Sequence, residues 1–251
     1  MKHIPRSALA DQTQARLHQW TAELVCEPEG SRPGKAYSAW RQRRGSRILS
    51  EVQGTLVHMN QDRERCMYCE HNEAKQIDHF EPRVVAPQRT FDWANLLLAC
   101  DVCNSNTKRT QHTRADGVVL LDPTADDPSA HLELRPLDGA LDACTERGAW
   151  TIQVFQLNER AILKQQRKRT WDGLQRLIEE YATVVTRGDL EAAADVRAHI
   201  CAHPFPSVLL QILSIAQDPN PLTVLRPACL AALRAHPEIA TWAETGPREP
   251  P

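Results

Sequence analysis

At 251 residues, with 41% hydrophobic and 25% charged side chains, the chain has the composition of a soluble globular protein with room for one large or two small domains, which excludes predominant disorder. The formal charge of −2 gives no global attraction to a polyanion, so nucleic-acid binding would have to come from local basic patches. No run approaches the roughly 18 apolar residues a membrane span needs, and the opening Met1-Lys-His-Ile-Pro-Arg6 lacks the apolar core of a signal peptide, so a cytoplasmic protein without a membrane partner is expected.

In residues 9–25, Leu9, Leu17, Trp20, Leu24 and Val25 recur at roughly helical spacing before Glu27-Pro-Glu-Gly30 breaks the pattern. Residues 32–47 hold Arg32, Lys35, Arg41, Arg43, Arg44 and Arg47 with no acidic residue, and Tyr37 and Trp40 lie among them. Ile48, Val52, Leu56 and Met59 then predict a helix packing one face inward. Beyond a segment dense in special residues at 66–112, the runs at 118–121, 131–135 and 150–155 are short, favour strand and are separated by Asp-Pro or Asp-Gly turn signals. Asn158 is placed to N-cap a long helix towards Val185, and residues 192–201, 208–216 and 222–233 predict further helices between Pro204, Pro206, Pro219 and Pro221. The tail 246–251 is expected to fray, and no internal repeat is evident.

Cys66-Met-Tyr-Cys69 and Cys100-Asp-Val-Cys103 place four of the eight cysteines in two pairs with 30 residues between them. A C-x-x-C turn holds two sulfurs well on one tetrahedral Zn²⁺, and two such pairs favour metal over disulfides. A four-cysteine zinc site is coordinatively closed, so it is expected to stabilise the fold and take no part in chemistry. A plain zinc ribbon has no need of what lies between the pairs: Gln76-Ile-Asp78-His79-Phe80-Glu81-Pro82, then Phe91-Asp-Trp93-Ala-Asn95-Leu96-Leu97, with Asn104 directly after Cys103. Singly these residues are unremarkable in meaning, since a lone histidine is more often a satisfied interior residue and Asn95 is a good helix N-cap; their order reverses the odds.

That order resembles the zinc-stapled branch of the HNH endonuclease family, in which a C-x-x-C precedes Asp-His, an Asn-Leu follows, and a second C-x-x-C leads into His or Asn and then Lys. The resemblance implies an α+β fold: a ββα-metal core stapled by structural zinc, flanked by N-terminal helices and, on the C-terminal side, a small sheet plus helices. It implies His79 as general base, Asp78 and Asn104 as oxygen ligands of a catalytic Mg²⁺ or Mn²⁺, and Asn95 as the residue that orients the His-bearing loop. An unperturbed imidazole, with a pKa of about 6.5, suits proton abstraction near neutral pH. The third position is often histidine in the family; Asn104 there shifts metal preference towards hard cations. Asn106 and His112 are nearby alternatives, and His71 a weaker one.

Lys108, one helical turn from Asn104, is a candidate phosphate contact or a solvated lysine. Arg41, Arg43, Arg44 and Arg47 are the best candidates for a DNA-binding surface, with a solvated helical face as the equal alternative. For the second basic cluster, Arg160, Lys164, Arg167, Lys168 and Arg169, plain surface is the stronger reading, and Phe91 and Trp93 are read as core. The outer pieces, among them Leu121-Asp-Pro123 and Gln156-Leu-Asn158-Glu-Arg-Ala-Ile-Leu163, resemble the HNH nuclease subunit of Septu-type bacterial anti-phage systems over about residues 1–170. That resemblance implies DNA as substrate and an ABC-type ATPase subunit as partner. The chain itself has 10 glycines and no G-x-x-x-x-G-K-[ST] loop, so any ATP dependence must come from elsewhere. Four segments are expected: a basic helical region at 1–62, the nuclease core at 63–115, short strands at 116–157, and a helical region at 158–251 as candidate docking surface. Two other readings stay open, a catalytically silent zinc-binding adaptor and a stand-alone restriction-type HNH enzyme.

Overall fold

Thr13, Leu17, Trp20 and Leu24 recur every three or four positions and form one buried stripe, while Asp11 sits in the first turn, where a carboxylate suits the helix dipole. They make α1 (Asp11–Val25) of the computed structural model, which describes residues 1–71, 73–221 and 224–245. The basic stretch is helical too: α2 spans Arg32–Arg43 with Pro33 in its first turn, and α3 spans Arg47–Met59, its first turn capped by Ser46 accepting from the Leu49 amide at 3.4 Å. α3 buries Leu49, Val52 and Leu56, so its inward stripe begins one residue later than the expected Ile48.

Two short strands follow, β1 (Gln76–His79) and β2 (Leu96–Ala99), paired antiparallel with Gln76 opposite Ala99 and His79 opposite Leu96. Every residue of β2 is buried, as its unbroken apolar run requires. The chain then enters a π-helix, Val102–Lys108, closed by the Arg109 amide donating to the Asn104 carbonyl at 2.9 Å, five residues back. Hairpin and helix form a ββα unit, and the fold is α+β.

Two expected strands are not strands. Residues 150–155 alternate Trp150, Ile152 and Val154, but they belong to α4 (Glu146–Val154), which buries Gly148, Thr151 and Val154 at helical spacing. Tertiary contacts override the strand propensity there: the Thr151 hydroxyl accepts from the Leu121 amide at 3.0 Å, and Phe155 stacks on Tyr68 at 4.2 Å. The run at 118–121 makes one isolated bridge, Thr113 to Val119, because its backbone is taken up by that hydroxyl and by the His112 carbonyl. The run at 131–135 does hold a strand: β3 (Leu132–Leu134) pairs with β4 (Leu141–Ala143).

Asn158 caps no helix. Its amide bonds the Leu141 backbone N–H and C=O at 2.8 and 2.7 Å, while Gln211 does the same for Leu134 at 2.7 and 2.8 Å, so the two outer edges of this sheet are closed by side chains. The long helix starts later, as α5 (Ala161–Thr186), and Arg167 within it is buried with its guanidinium on the Leu157 carbonyl at 2.9 Å, a structural rather than a surface role. α6 (Leu190–Ala202), α7 (Pro206–Ile215), α8 (Pro227–Ala235) and α9 (Ile239–Thr245) complete the described chain; α9 was not foreseen. Leu222 and Thr223, at the start of one expected helix, and the tail 246–251 lie outside the described residues.

The chain divides into two compact units, His3–Asp127 with Glu146–Phe155, and Met1–Lys2 with Pro128–Thr145 and Gln156–Pro251. The first holds α1–α3, the ββα unit and α4; the second holds β3, β4 and α5–α9. Among the described residues no single helix is long and apolar enough to cross a membrane.

Candidate active site and four-cysteine metal centre

Cys66 and Cys69 precede β1, Cys100 follows β2 at once, and Cys103 lies in the π-helix, so the hairpin brings both pairs to one point. All four are buried, and their sulfurs lie within 4.8 Å of one another, with Cys69 Sγ 3.9 Å from Cys100 Sγ. A tetrahedral ion bonded at ~2.3 Å to four sulfurs separates them by about 3.8 Å, so the cluster fits such an ion with little adjustment. Burial, with the neighbouring thiols, holds Cys66 well above the usual thiol range, so a buried cation is what would make that sulfur a good thiolate, whereas the hydrogen bonds of Cys103 and Cys66 bring Cys100 down to about 7. The Met67 amide donates to the Leu98 carbonyl at 3.0 Å, which ties the first cysteine turn to β2. Four sulfurs close the coordination shell, so this centre staples the hairpin to the helix and leaves the chemistry to other residues.

Alternation along β1 sends Gln76 and Asp78 to the π-helix side. Gln76 Oε1 accepts from Asn104 Nδ2 at 2.9 Å and from the Ser105 hydroxyl at 3.1 Å, and its Nε2 donates to Asp101 at 3.0 Å. Asp78 meets Lys108, one turn beyond Asn104: Nζ lies 2.9 Å from Oδ2 and 3.1 Å from Oδ1, and also donates to the His79 carbonyl at 2.6 Å. The Tyr68 hydroxyl donates to Asp78 Oδ2 at 2.6 Å. Asp78 is 3% exposed and Lys108 0%, so this is a buried ion pair with its donors matched. Lys108 therefore does not reach solvent to meet a phosphate, because its ammonium neutralises Asp78.

His79 is buried, its ring edge-on to Trp40 of α2 at 4.4 Å between centroids. Nε2 lies 3.0 Å from the Thr90 carbonyl. A carbonyl can only accept, so Nε2 carries the proton and Nδ1 keeps the lone pair. Burial first, then the positive charge of Arg83, pulls the imidazole down to about 3, so at neutral pH the ring is uncharged.

Asn95 joins the loop after β1 to the start of β2. Its Oδ1 accepts from the Glu81 amide at 2.7 Å, and its Nδ2 donates to the Glu81 and Arg89 carbonyls at 3.1 and 3.0 Å. Arg89 pairs with Glu81 and, at 2.8 Å, with Asp92, which caps the turn at Trp93. The loop that carries the Thr90 carbonyl is thereby held on both sides of His79.

The remaining expected residues separate. Asn106 Nδ2 bonds Asp101 at 3.2 Å, whereas His112 is half-buried, edge-on to Phe80 at 4.8 Å, with Nε2 buried and unpartnered. Phe91 is core, as read, packing on Trp20 and Trp40, and Trp93 is partly buried with its indole N–H on the Ser7 carbonyl at 3.1 Å. Of the basic residues, Arg43 is committed to the fold, paired with Glu23 at 2.7 Å and stacked on Trp20 and Phe91, and Arg47 pairs with Glu51 at 2.8 Å. Arg41 and Arg44 are exposed, with no ion-pair partner among the described residues. Sequence reasoning missed Tyr68 as a partner of Asp78, and it missed Arg83, whose guanidinium lies over the Tyr37 and Trp40 rings at 5.5 and 5.7 Å. Nothing local in Pro82-Arg83 signals this; the platform comes from a helix some forty residues earlier.

For a hard cation, the expected oxygen ligands are Asp78 on β1 and Asn104 in the π-helix, the latter tied to β1 through Gln76. Asn104 spends its Nδ2 on Gln76, which leaves its Oδ1 as the ligand atom, and Asp78 Oδ2 already accepts from Tyr68 and Lys108, so Oδ1 is the carboxylate oxygen with a lone pair to spare. Such a set fits an ion that keeps much of its water and shares its shell with a phosphate, as Mg²⁺ does. With Lys108 already balancing Asp78, affinity for a divalent ion without a phosphate should be low.

The HNH endonuclease family model matches residues 66–110, a stretch that begins at Cys66 and ends two residues past Lys108. The chain is also similar to Septu protein PtuB of Bacillus mycoides (strain KBAB4), 26% identical over 137 residues, which cover 41% of this chain and 46% of that protein. The match thus spans about half the length of the curated relative. The four cysteines, the β1–β2 hairpin with Asp78 and His79, and the helix with Asn104 all fall inside residues 66–110, and that segment is an HNH endonuclease domain.

Proposed function

We propose that the chain is a metal-dependent endonuclease that hydrolyses DNA phosphodiester bonds, with His79 as general base. The observation that carries this reading is the tautomer of His79: Nε2 is committed to the Thr90 carbonyl, which leaves Nδ1 with its lone pair to accept a proton. A water oxygen attacks phosphorus, Nδ1 takes the proton from that water, and the bond from phosphorus to the leaving oxygen breaks, that oxygen then gaining a proton. Mg²⁺ or Mn²⁺ on Asp78 and Asn104 would supply positive charge for the phosphate and the leaving oxygen. Asn95 positions the loop behind His79, and Arg41 and Arg44 supply phosphate contacts along DNA. Zn²⁺ is the ion we assign to the four cysteines.

The likeness to a Septu protein supports a setting in anti-phage defence; to this we add a cytoplasmic location, gating by an ABC-type ATPase, and residues 158–251 as the docking region. A free nuclease would endanger its host's own DNA, which gives such gating a physical reason. One observation favours a second reading, a silent zinc-binding adaptor: Asp78 is 3% exposed and already neutralised by Lys108. The deciding experiment compares cleavage of plasmid and single-stranded DNA by the wild type and His79→Ala, with EDTA, Mg²⁺ and Mn²⁺, alone and with any co-purifying ATPase. Metal-dependent cutting that His79→Ala abolishes, with zinc and folding kept, supports the nuclease. Absence of cutting under all these conditions favours the adaptor.

A further inference from the structure

Of the cations near His79, Lys108 is buried on Asp78, and Arg89 is paired with Glu81 and Asp92. Arg83 differs. It is part-buried, and its guanidinium has no carboxylate or hydrogen-bond partner among the described residues, only the Tyr37 and Trp40 rings. His79 lies against the same Trp40 indole, 4.4 Å between ring centroids, so Arg83 and His79 share one aromatic neighbour. A guanidinium drawn partly out of water and lying over two rings, yet without a carboxylate in hydrogen-bond reach, keeps its N–H donors for an anion. Burial indeed costs it, lowering its pKa from the usual arginine value. Tyr37 is 59% exposed, so the platform opens to solvent; Arg41 follows Tyr37 one turn on along α2, and Arg44, the C-cap residue with helical backbone angles, comes three residues after it.

We infer that Arg83, lying over Tyr37 and Trp40, binds the non-bridging oxygens of the phosphate that His79 addresses, and that Arg41 of α2 and Arg44 at its C-terminal cap carry the flanking phosphates. The ligand is a nucleic-acid phosphodiester, recognised by charge and by the planar fork, without base reading. The inference rests on the nuclease reading of the same site. Arg83 contributes in two ways: it orients the phosphate for in-line attack, and it stabilises the charge that builds on the oxygens as the water adds.

The test uses the full chain with Arg83→Gln, Arg83→Lys and His79→Ala. Cleavage is followed where it occurs, and binding of a fluorescent oligonucleotide is measured by anisotropy in EDTA, where nothing is cut, over a salt series. Arg83→Gln is expected to lower kcat/KM about 10- to 100-fold, the cost of one charge-assisted contact, with the melting temperature unchanged. It should also weaken oligonucleotide binding and reduce the slope of log affinity against log salt by about one. Arg83→Lys should restore the salt slope, since the charge returns, but not the full kcat, since the fork does not. Arg83→Gln with kcat, KM and salt slope all within about twofold of wild type, while His79→Ala is dead, overturns the inference and leaves the nuclease standing. If the wild type never cuts, the nuclease reading falls, and an unchanged salt slope in Arg83→Gln then removes the phosphate site as well. A melting temperature that drops equally in the Gln and Lys variants, with the salt slope unmoved, makes Arg83 a packing residue and also overturns the inference.

Discussion

Replacing Lys108 by methionine isolates the energetic centre of the site. The Lys108 ammonium is fully buried, 2.9 and 3.1 Å from the two oxygens of Asp78 and 2.6 Å from the His79 carbonyl. Methionine keeps the length and most of the volume, so little cavity opens. It strands a buried carboxylate with the Tyr68 hydroxyl as its remaining donor, and it leaves the His79 carbonyl short of a partner. Removing one member of a buried pair costs about 3–5 kcal/mol, because the other charge stays desolvated without compensation. For a domain of this size the melting temperature should fall by roughly 10 °C or more. Adding Asp78→Asn removes the stranded charge, and the double variant should recover most of the loss, since replacing both partners costs far less than removing one. The assay is a double-mutant cycle by calorimetry, with zinc content followed so that loss of metal is separated from loss of the pair. The argument is refuted if Lys108→Met melts within about 2 °C of the wild type, or if the double variant is less stable than the single changes sum to.

Four further outcomes are expected. The wild type should carry one zinc per chain by elemental analysis, and Cys66→Ser or Cys103→Ser should lose it together with cooperative unfolding of the ββα unit; a folded, zinc-free variant would contradict the staple. His79 is held at about 3, below the ordinary imidazole value of the unfolded chain, so the unfolded state takes the proton first. Stability from the neutral ring is therefore full above about pH 6.5 and is lost on going down towards pH 3, at up to ~1.4 kcal/mol per pH unit; urea midpoints of His79→Gln at pH 7, 5 and 4 should fall less steeply, and parallel curves would sink the idea. Asn95→Ala removes three hydrogen bonds to part-buried backbone at Glu81 and Arg89, costs about 2–3 kcal/mol, and should speed hydrogen exchange in residues 80–90; unchanged exchange there would exclude its role in holding the loop. Arg41→Ala and Arg44→Ala should each lower the salt slope of DNA binding by about one without a change in melting temperature, whereas Arg43→Ala, which loses Glu23 and two ring contacts, should lower the melting temperature first.

The helices α1 and α3 were legible because their burial follows a local period, though a one-residue shift in α3 shows that the period sets a face more firmly than its edge. Residues 150–155 were misread because alternating β-branched and aromatic residues fit a strand locally, while the Thr151 and Phe155 contacts that make the segment helical come from Leu121 and Tyr68, far away in sequence. Asn158 has the chemistry of a cap, yet its amide found a strand edge to close instead.

At the site, the sequence by itself determined the metal centre and the inventory of reactive groups. Two C-x-x-C turns present sulfur pairs whatever surrounds them, and the order Asp78-His79, Asn95, Asn104 is set by covalent spacing. Tertiary structure alone decided how those groups are charged and paired. Lys108 had the same sequence neighbours whether it faced solvent or Asp78, and docking of the π-helix on the hairpin chose Asp78. Arg43 and Arg44 are adjacent in sequence, but only Arg43 meets Glu23 and Trp20, which leaves Arg44 for solvent. Arg83 acquired its aromatic platform, and His79 its low basicity, from α2 packing over the loop. The physical reason is one of range: ligand spacing and helical period act over a few residues, whereas desolvation and ion pairing depend on which surfaces the chain brings together from far apart.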